Sequence, residues 1–234
     1  GAAGTVFVIQ QGHVDLSQLS DLSGGTVELR RGGDVDLSAV TNIDRASLFA
    51  YDGASLTLPS VTGYTHASTA SNQHRWLRAD GVGSQLSLPN LATITGGTHY
   101  NARLFIEAWR GGSVDLNAVT GIGEPNSGDL RWRSINVSAE GIGSSVDLSS
   151  LQSYTDLSSG ETSGYGVYST LKATRGGSVL APQLATLRGA RVTGIASPAK
   201  ADAVRKAGAE SILERNATPP ENGFDVLTQL PGDS

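Results

Sequence analysis

The chain contains no cysteine and no methionine. Without thiols it can build neither a disulfide framework nor a thiolate metal site, and the two side chains most readily oxidised are missing altogether. Both absences suit an oxidant-exposed setting, so a secreted or cell-surface location is expected. Lysine is scarce as well, occurring only at Lys172, Lys200 and Lys206. With a net charge of -5 and a pI near 5.3, no basic stripe is available to neutralise phosphates. Nucleic-acid partners and attraction to an anionic membrane are therefore not expected. No uninterrupted apolar run approaches the ~18 residues of a membrane-spanning helix, and no charged-then-apolar leader opens the chain. Insertion into a membrane is not expected, and the Gly1-Ala2-Ala3 start is read as a processed or truncated end. Good helix formers are thin before Ala199, which argues against an array of helical repeats.

What the 234 residues do contain is 30 glycines and a repeat. Apolar residues at a first position and two, five and eight positions later recur as Val14/Leu16/Leu19/Leu22, Val35/Leu37/Val40/Ile43, Leu56/Leu58/Val61/Tyr64 and Leu86/Leu88/Leu91/Ile94. The series continues as Val114/Leu116/Val119/Ile122, Val146/Leu148/Leu151/Tyr154 and Val179/Ala181/Leu184/Leu187. Each unit then carries a second alternating segment with inward pairs Val27/Leu29, Leu48/Ala50, Leu77/Ala79, Ile106/Ala108, Val137/Ala139 and Leu171/Ala173, followed by a glycine corner. Alternation of this kind is the signature of short strands with one buried face. The spacings of 21, 21, 30, 28, 32 and 33 residues suit coils whose loops absorb insertions. The expected fold is all-β: a right-handed parallel β-helix, or β-solenoid, of about seven rungs over residues 1–196, with 197–234 forming a short capping helix and tail.

Stacked coils make residues far apart in sequence into cross-strand neighbours. Arg31, Asp52, Asp80, Arg110, Glu140 and Arg175 should line up with largely alternating sign, each opposite pair contributing ~0.2 to 1 kcal/mol. The file Asp15, Asp36, Thr57, Ser87, Asp115, Asp147 instead sets like charges together and requires an ion, a hydrogen bond or solvent to relieve them. Asp115 and Asp147 are the closest approach to a catalytic carboxylate pair. Their place in the repeated Asp-Leu-Ser phrase marks them as structural, and no catalytic residue is assigned. No metal site is assigned either, His66, His74 and His99 being read as solvated loop residues. No cofactor is expected.

The V-D-L-S-x-L phrase between glycine corners resembles the β-solenoid repeats of large secreted bacterial surface proteins of the adhesin and autotransporter-passenger type, over about residues 5 to 196. The resemblance implies an extracellular adhesin, scaffold or polysaccharide enzyme. A second resemblance covers Ala190 to Leu227, where A-R-V-T-G-I-A-S-P-A-K-A-D-A-V-R-K-A-G-A-E-S-I-L followed by Gly223-Phe224-Asp225-Val226 is similar to the second βαβ unit of medium-chain dehydrogenases. That would implicate Ser197 and Lys200 in contacting an adenosine ribose or its phosphate. No G-x-G-x-x-G after a strand precedes it, and a cap is preferred: Ser197-Pro198 is a helix N-cap and first-turn pair, and Gly208 a stop.

The lengthened coils gain residues at one point of the repeat, 62–75, 95–103, 123–134 and 155–169, so their loops should rise on a common face. That face collects His66, His74, Arg75, His99, Tyr100, Glu124, Asp129, Arg131, Trp132, Arg133, Asp156, Glu161, Tyr165 and Tyr168. Beside it Trp76, Phe105, Trp109 and Tyr51 occupy outward strand positions. Aromatic rings next to acidic and basic groups suit sugars, whose rings offer C–H faces and hydroxyl rims. The expected ligand-binding set is Trp76, His99, Tyr100, Phe105, Trp109, Arg131, Trp132 and Tyr165. The expected function is a noncatalytic extracellular adhesin or structural module that contacts glycans. The alternatives are a polysaccharide lyase or hydrolase on the same scaffold, and a fibre subunit self-associating end to end through the strand signal at residues 4–10.

Overall fold

A computed structural model describes residues 4–157 and 167–188, together with the short strands Thr193–Ile195 and Ser211–Leu213. The architecture is an all-β parallel solenoid, and no helix occurs among the described residues. Its broadest face is a seven-stranded sheet of Val6–Ile9, Thr26–Leu29, Ser47–Tyr51, His74–Asp80, Arg103–Trp109, Ser134–Glu140 and Thr170–Thr174, every pair parallel and in that order. A five-stranded sheet stacks Ser55–Thr57, Gln85–Ser87, Ser113–Asp115, Ser145–Asp147 and Ser178–Leu180. A second five-stranded sheet stacks Gly63–Thr65, Thr93–Thr95, Gly121–Glu124, Ser153–Asp156 and Thr186–Arg188. At the first coils the same walls shrink to the pair His13–Asp15 with Asp34–Asp36 and the single bridge Asp21 to Asn42. The expected parallel solenoid is therefore present, with its sheets of unequal depth.

The apolar pattern explains the register. Leu48, Leu77, Ile106, Val137 and Leu171 lie directly above one another, as do Ala50, Ala79, Ala108, Ala139 and Ala173. A one-residue slip in any strand would turn its whole apolar set outward, so each coil pins the next. Alanine recurs beside the glycine corner because rungs ~4.8 Å apart leave little lateral room there. Tyr64 and Tyr154 enter the same core, and each phenol donates to a backbone carbonyl, of Ala46 at 3.1 Å and of Ile135 at 2.6 Å. Burial without such a partner would cost ~1 to 3 kcal/mol.

The like-charge file is relieved by hydrogen bonds within its own turns. Asp15, Asp36, Asp115 and Asp147 each accept the backbone N–H two residues on, from Ser17, Ser38, Asn117 and Ser149, at 2.9 to 3.2 Å. These are Asx turns, and they hold Asp15 and Asp36 below the usual carboxylate range chiefly through their serine partners. The expected charge file holds with one change of partner. Arg30, not Arg31, reaches the Asp52 carboxylate at 3.1 Å, while Arg31 donates to the Asp52 carbonyl. Arg110 pairs with Asp80, and Arg175 pairs with Glu140 at 2.6 Å.

The capping helix and tail expected over 197–234 fall, apart from Ser211–Leu213, outside the described residues, and so do Ser197 and Lys200 of the dehydrogenase-like run. Within that run Thr193–Ile195 and Ser211–Leu213 pair in parallel.

Candidate functional site

The outer face of the seven-stranded sheet carries a ladder of rings. Side chains alternate along each strand, so Phe49 and Tyr51, Trp76, and Phe105 and Trp109 all point away from the core. Trp76 and Phe105 are register partners and stack with centroids 5.5 Å apart and planes 15° from parallel. Phe49 lies 6.3 Å from Trp76 and stacks on Tyr51 at 5.7 Å, and His74 meets both Trp76 and Phe105 edge-on. Arg78 lies 4.1 Å from the Trp109 centroid and is paired with Glu107 on the next strand. Arg30 covers Tyr51 at 4.8 Å. Because the rings lie against one another and under guanidinium groups, much of their π surface is already in contact. Ring edges, which carry the positive part of the quadrupole, border a strip of arginine and carboxylate.

Alongside this face runs the loop corner, and here the backbone breaks its own rule. Asn72, Asn101 and Trp132 each stand two residues before a paired strand position and share left-handed φ values of 60°, 53° and 64°. Asn101 donates its side-chain amide to Asn72 at 2.8 Å, and the backbone N–H groups of Asn72 and Asn101 donate to the carbonyls of Tyr100 and Arg131. Asparagine tolerates this conformation; a bulky aromatic residue is an outlier in it. Trp132 is held there by Arg103, whose Nε donates to the Trp132 carbonyl at 3.1 Å and whose guanidinium lies 5.7 Å from the indole. Next to it Arg131 makes a forked pair with Asp129, pulling that carboxyl down to about 2, and sits 5.2 Å from the Tyr100 centroid. His99 meets the Ser68 hydroxyl at 3.1 Å through Nδ1, and the His99 N–H donates to the same oxygen.

Beneath the corner lies a buried polar file. In the second five-stranded sheet, the position after Thr65, Thr95, Gly123 and Thr155 points inward, and register stacks His66, Gly96, Glu124 and Asp156 there. The expectation that His66, Glu124, Arg133 and Asp156 belong to the loop surface is overturned, since each is only 1% exposed. The loops fold over these groups, and Gly96 leaves the space that the Glu124 carboxylate fills: a Cβ there would lie 2.2 Å from Oε1. Arg133 donates to the carbonyls of Gly97 at 2.7 Å, Ser127 at 2.8 Å and Pro125. Asp156 accepts the Ser169 N–H at 2.8 Å.

Neither ring nitrogen of His66 makes a hydrogen bond of good geometry, the Gln73 backbone being the polar group beside it, and burial, with Arg75 nearby, lowers its pKa from 6.5 to about 4. A histidine held neutral in the fold but free to protonate when unfolded stabilises the protein fully above pH 6.5, and that stability is lost as pH falls toward 4. The expected loss is about 3 kcal/mol, from the conversion of 1.36 kcal/mol per pH unit. His66→Asn should flatten this acid limb in thermal unfolding followed from pH 7 to 4; an unchanged slope would assign the limb to other groups.

Of the expected ligand-binding residues, Trp76, Phe105 and Trp109 share the sheet face, and His99, Tyr100, Arg131 and Trp132 share the adjoining corner. Arg103, beside His74 on the sheet and against Trp132 at the corner, links the two groups. Tyr165 lies outside the described residues. Phe49, Arg78, Glu107 and Arg103 were missed. Phe49 was readable as the outward residue between Leu48 and Ala50, whereas the Arg78 to Glu107 pair joins residues 29 apart and needed the register. Among the described residues no group of three or more histidines and carboxylates is arranged to hold a metal ion. No protein-family model, no curated protein and no solved structure matches this chain.

Proposed function

We propose that this chain is a noncatalytic extracellular or cell-surface β-solenoid module, adhesive or structural, that contacts glycans through the loop corner and the adjoining sheet face. The observation that carries the reading is Trp132 in a left-handed conformation at the end of an asparagine file. Strained backbone persists where surrounding structure over-determines it, and it clusters at binding sites. The same corner carries Arg103 against the indole, Arg131 over Tyr100, and His99 on Ser68, and the ladder continues with ring edges that favour oxygen atoms. Sugar hydroxyls and carboxylates supply such oxygens. Glycosidic hydrolysis calls for two carboxyl groups free to exchange protons with substrate. On this surface Glu28, Asp80, Glu107, Asp129 and Glu140 are each paired with an arginine, which favours binding over chemistry.

Trp132→Asn tests the assignment. Asparagine removes the left-handed penalty of ~1 kcal/mol, so the variant should unfold at higher temperature than the wild type while losing retention on a glycan array or in affinity electrophoresis. Wild-type retention by a stabilised variant would discard the site. The fibre reading also has an observation in its favour: Val6 and Val8, on the terminal strand of the seven-stranded sheet, are 61% and 54% exposed. Growth of the light-scattering mass with concentration, abolished by Val8→Lys, would establish it.

A further inference from the structure

We infer that Glu124, Arg133 and Asp156 form a proton-dependent clamp that closes the loop corner and opens it as the medium becomes alkaline. The geometry is that of a shared-charge cluster. Glu124 and Asp156 are register partners on adjacent strands, both inward and both 1% exposed. The cation beside Glu124 is Arg133, equally buried, whose Nε lies 3.8 Å from Glu124 Oε2, beyond hydrogen-bonding distance, and which is also within electrostatic reach of Asp156. Its other nitrogens are committed to the carbonyls of Gly97, Pro125 and Ser127. Asp156 has a backbone N–H from Ser169, whereas neither oxygen of Glu124 has a hydrogen-bond partner.

An ionised carboxylate without protein donors in a low-dielectric interior is costly, and a second carboxyl beside it adds to that cost. A neutral Glu124 removes a negative charge that has no hydrogen-bond donor from beside Arg133. Burial, and Asp156 next, push the Glu124 carboxyl well above its ordinary 4.5 although Arg133 opposes them. Among the described residues, the other titratable groups around Glu124 do not supply a second cation. Tyr154 is a buried phenol raised by burial and by both carboxylates, and His66, across Gly96, is held neutral. Asp129, outside the core, is neutralised by Arg131.

Ionisation sends the proton to solvent and leaves a carboxylate that is stable only when hydrated. The corner loops must then part from Arg133, which ties 97–101 to 125–133 and stands next to Trp132. A carboxyl raised in the closed state gives a clamp fully shut below about pH 4.5. The clamp weakens tenfold per pH unit until the raised value is passed, because opening releases one proton. The inference concerns the corner's own fold, whether or not a glycan binds there.

The test compares wild type with Glu124→Gln, a neutral isostere with no proton to lose, by amide exchange of residues 97–101 and 125–133 between pH 5 and 9. Taking the ratio at each pH cancels the intrinsic base dependence of exchange. Protection in the wild type should fall relative to the variant by up to tenfold per pH unit; parallel profiles would overturn the clamp. If Glu124→Gln fails to fold, carboxyl 13C NMR of the glutamate-labelled wild-type chain decides. One resonance should titrate well above the others, and titration of every glutamate in the ordinary range would equally overturn it.

Discussion

Gly112→Ala is expected to destabilise the solenoid by about 3 kcal/mol, the upper end of what overpacking usually costs. Gly112 closes the corner after Arg103–Trp109, its N–H donating to the Trp109 carbonyl at 2.9 Å. A Cβ at this position would lie 2.4 Å from the Ala79 carbonyl oxygen and 2.6 Å from its carbon, both backbone atoms of the coil below. Neither can move without breaking the ladder between strands. Gly33 and Gly177 stand in the same relation to Ile9 and Ala139, with oxygens at 2.6 and 2.4 Å, so their alanine variants should behave alike. Gly121→Ala is the control: its Cβ would meet only Ser153 Oγ, at 3.4 Å, and its φ is not left-handed. Urea unfolding of the pair separates the two causes. Equal losses would mean that chain entropy, not the approach of coils, accounts for the corner glycines.

The second large effect is at Arg133. Arg133→Ala should cost about 3 to 5 kcal/mol, as removal of one partner from a buried ionic cluster does. Three carbonyls lose their donor, and Glu124 and Asp156 lose a cation that acts on both. The loss should be concentrated at the corner, with Trp132 emission shifting toward that of a solvated indole while the sheet retains its far-ultraviolet signal. A variant that melts like the wild type would remove Arg133 as the tie between the loops, and the proton clamp with it.

How much of this was readable depends on whether a residue's partner is local. Val-x-Leu alternation, the glycine corners and the single insertion point are properties of short windows, so the solenoid, its inward set and the side on which loops rise followed from pattern alone. Trp76, Phe105 and Trp109 could be named as outward residues because each sits between residues of known facing. The charge file was legible except for its partner exchange at Asp52, where the corner lets Arg30 lean across the step. The strain at Trp132 was hidden, since φ is not written in residue type: asparagine at 72 and 101 hints at a left-handed position only once unequal loops have been aligned. The burial of His66, Glu124, Arg133 and Asp156 was hidden more deeply. Polar residues in inserted segments read as solvated, and only the folding of three successive loops over one another removes them from water.

Sequence by itself determined the coil, because an apolar repeat at strand period can be satisfied only by stacking each copy on the next. Tertiary structure decided which polar groups meet. Pairing across rungs joins residues about thirty apart through loops of unequal length, and the distances that matter, such as Arg78 to Glu107 or Arg133 to Glu124, exist only once that register is set.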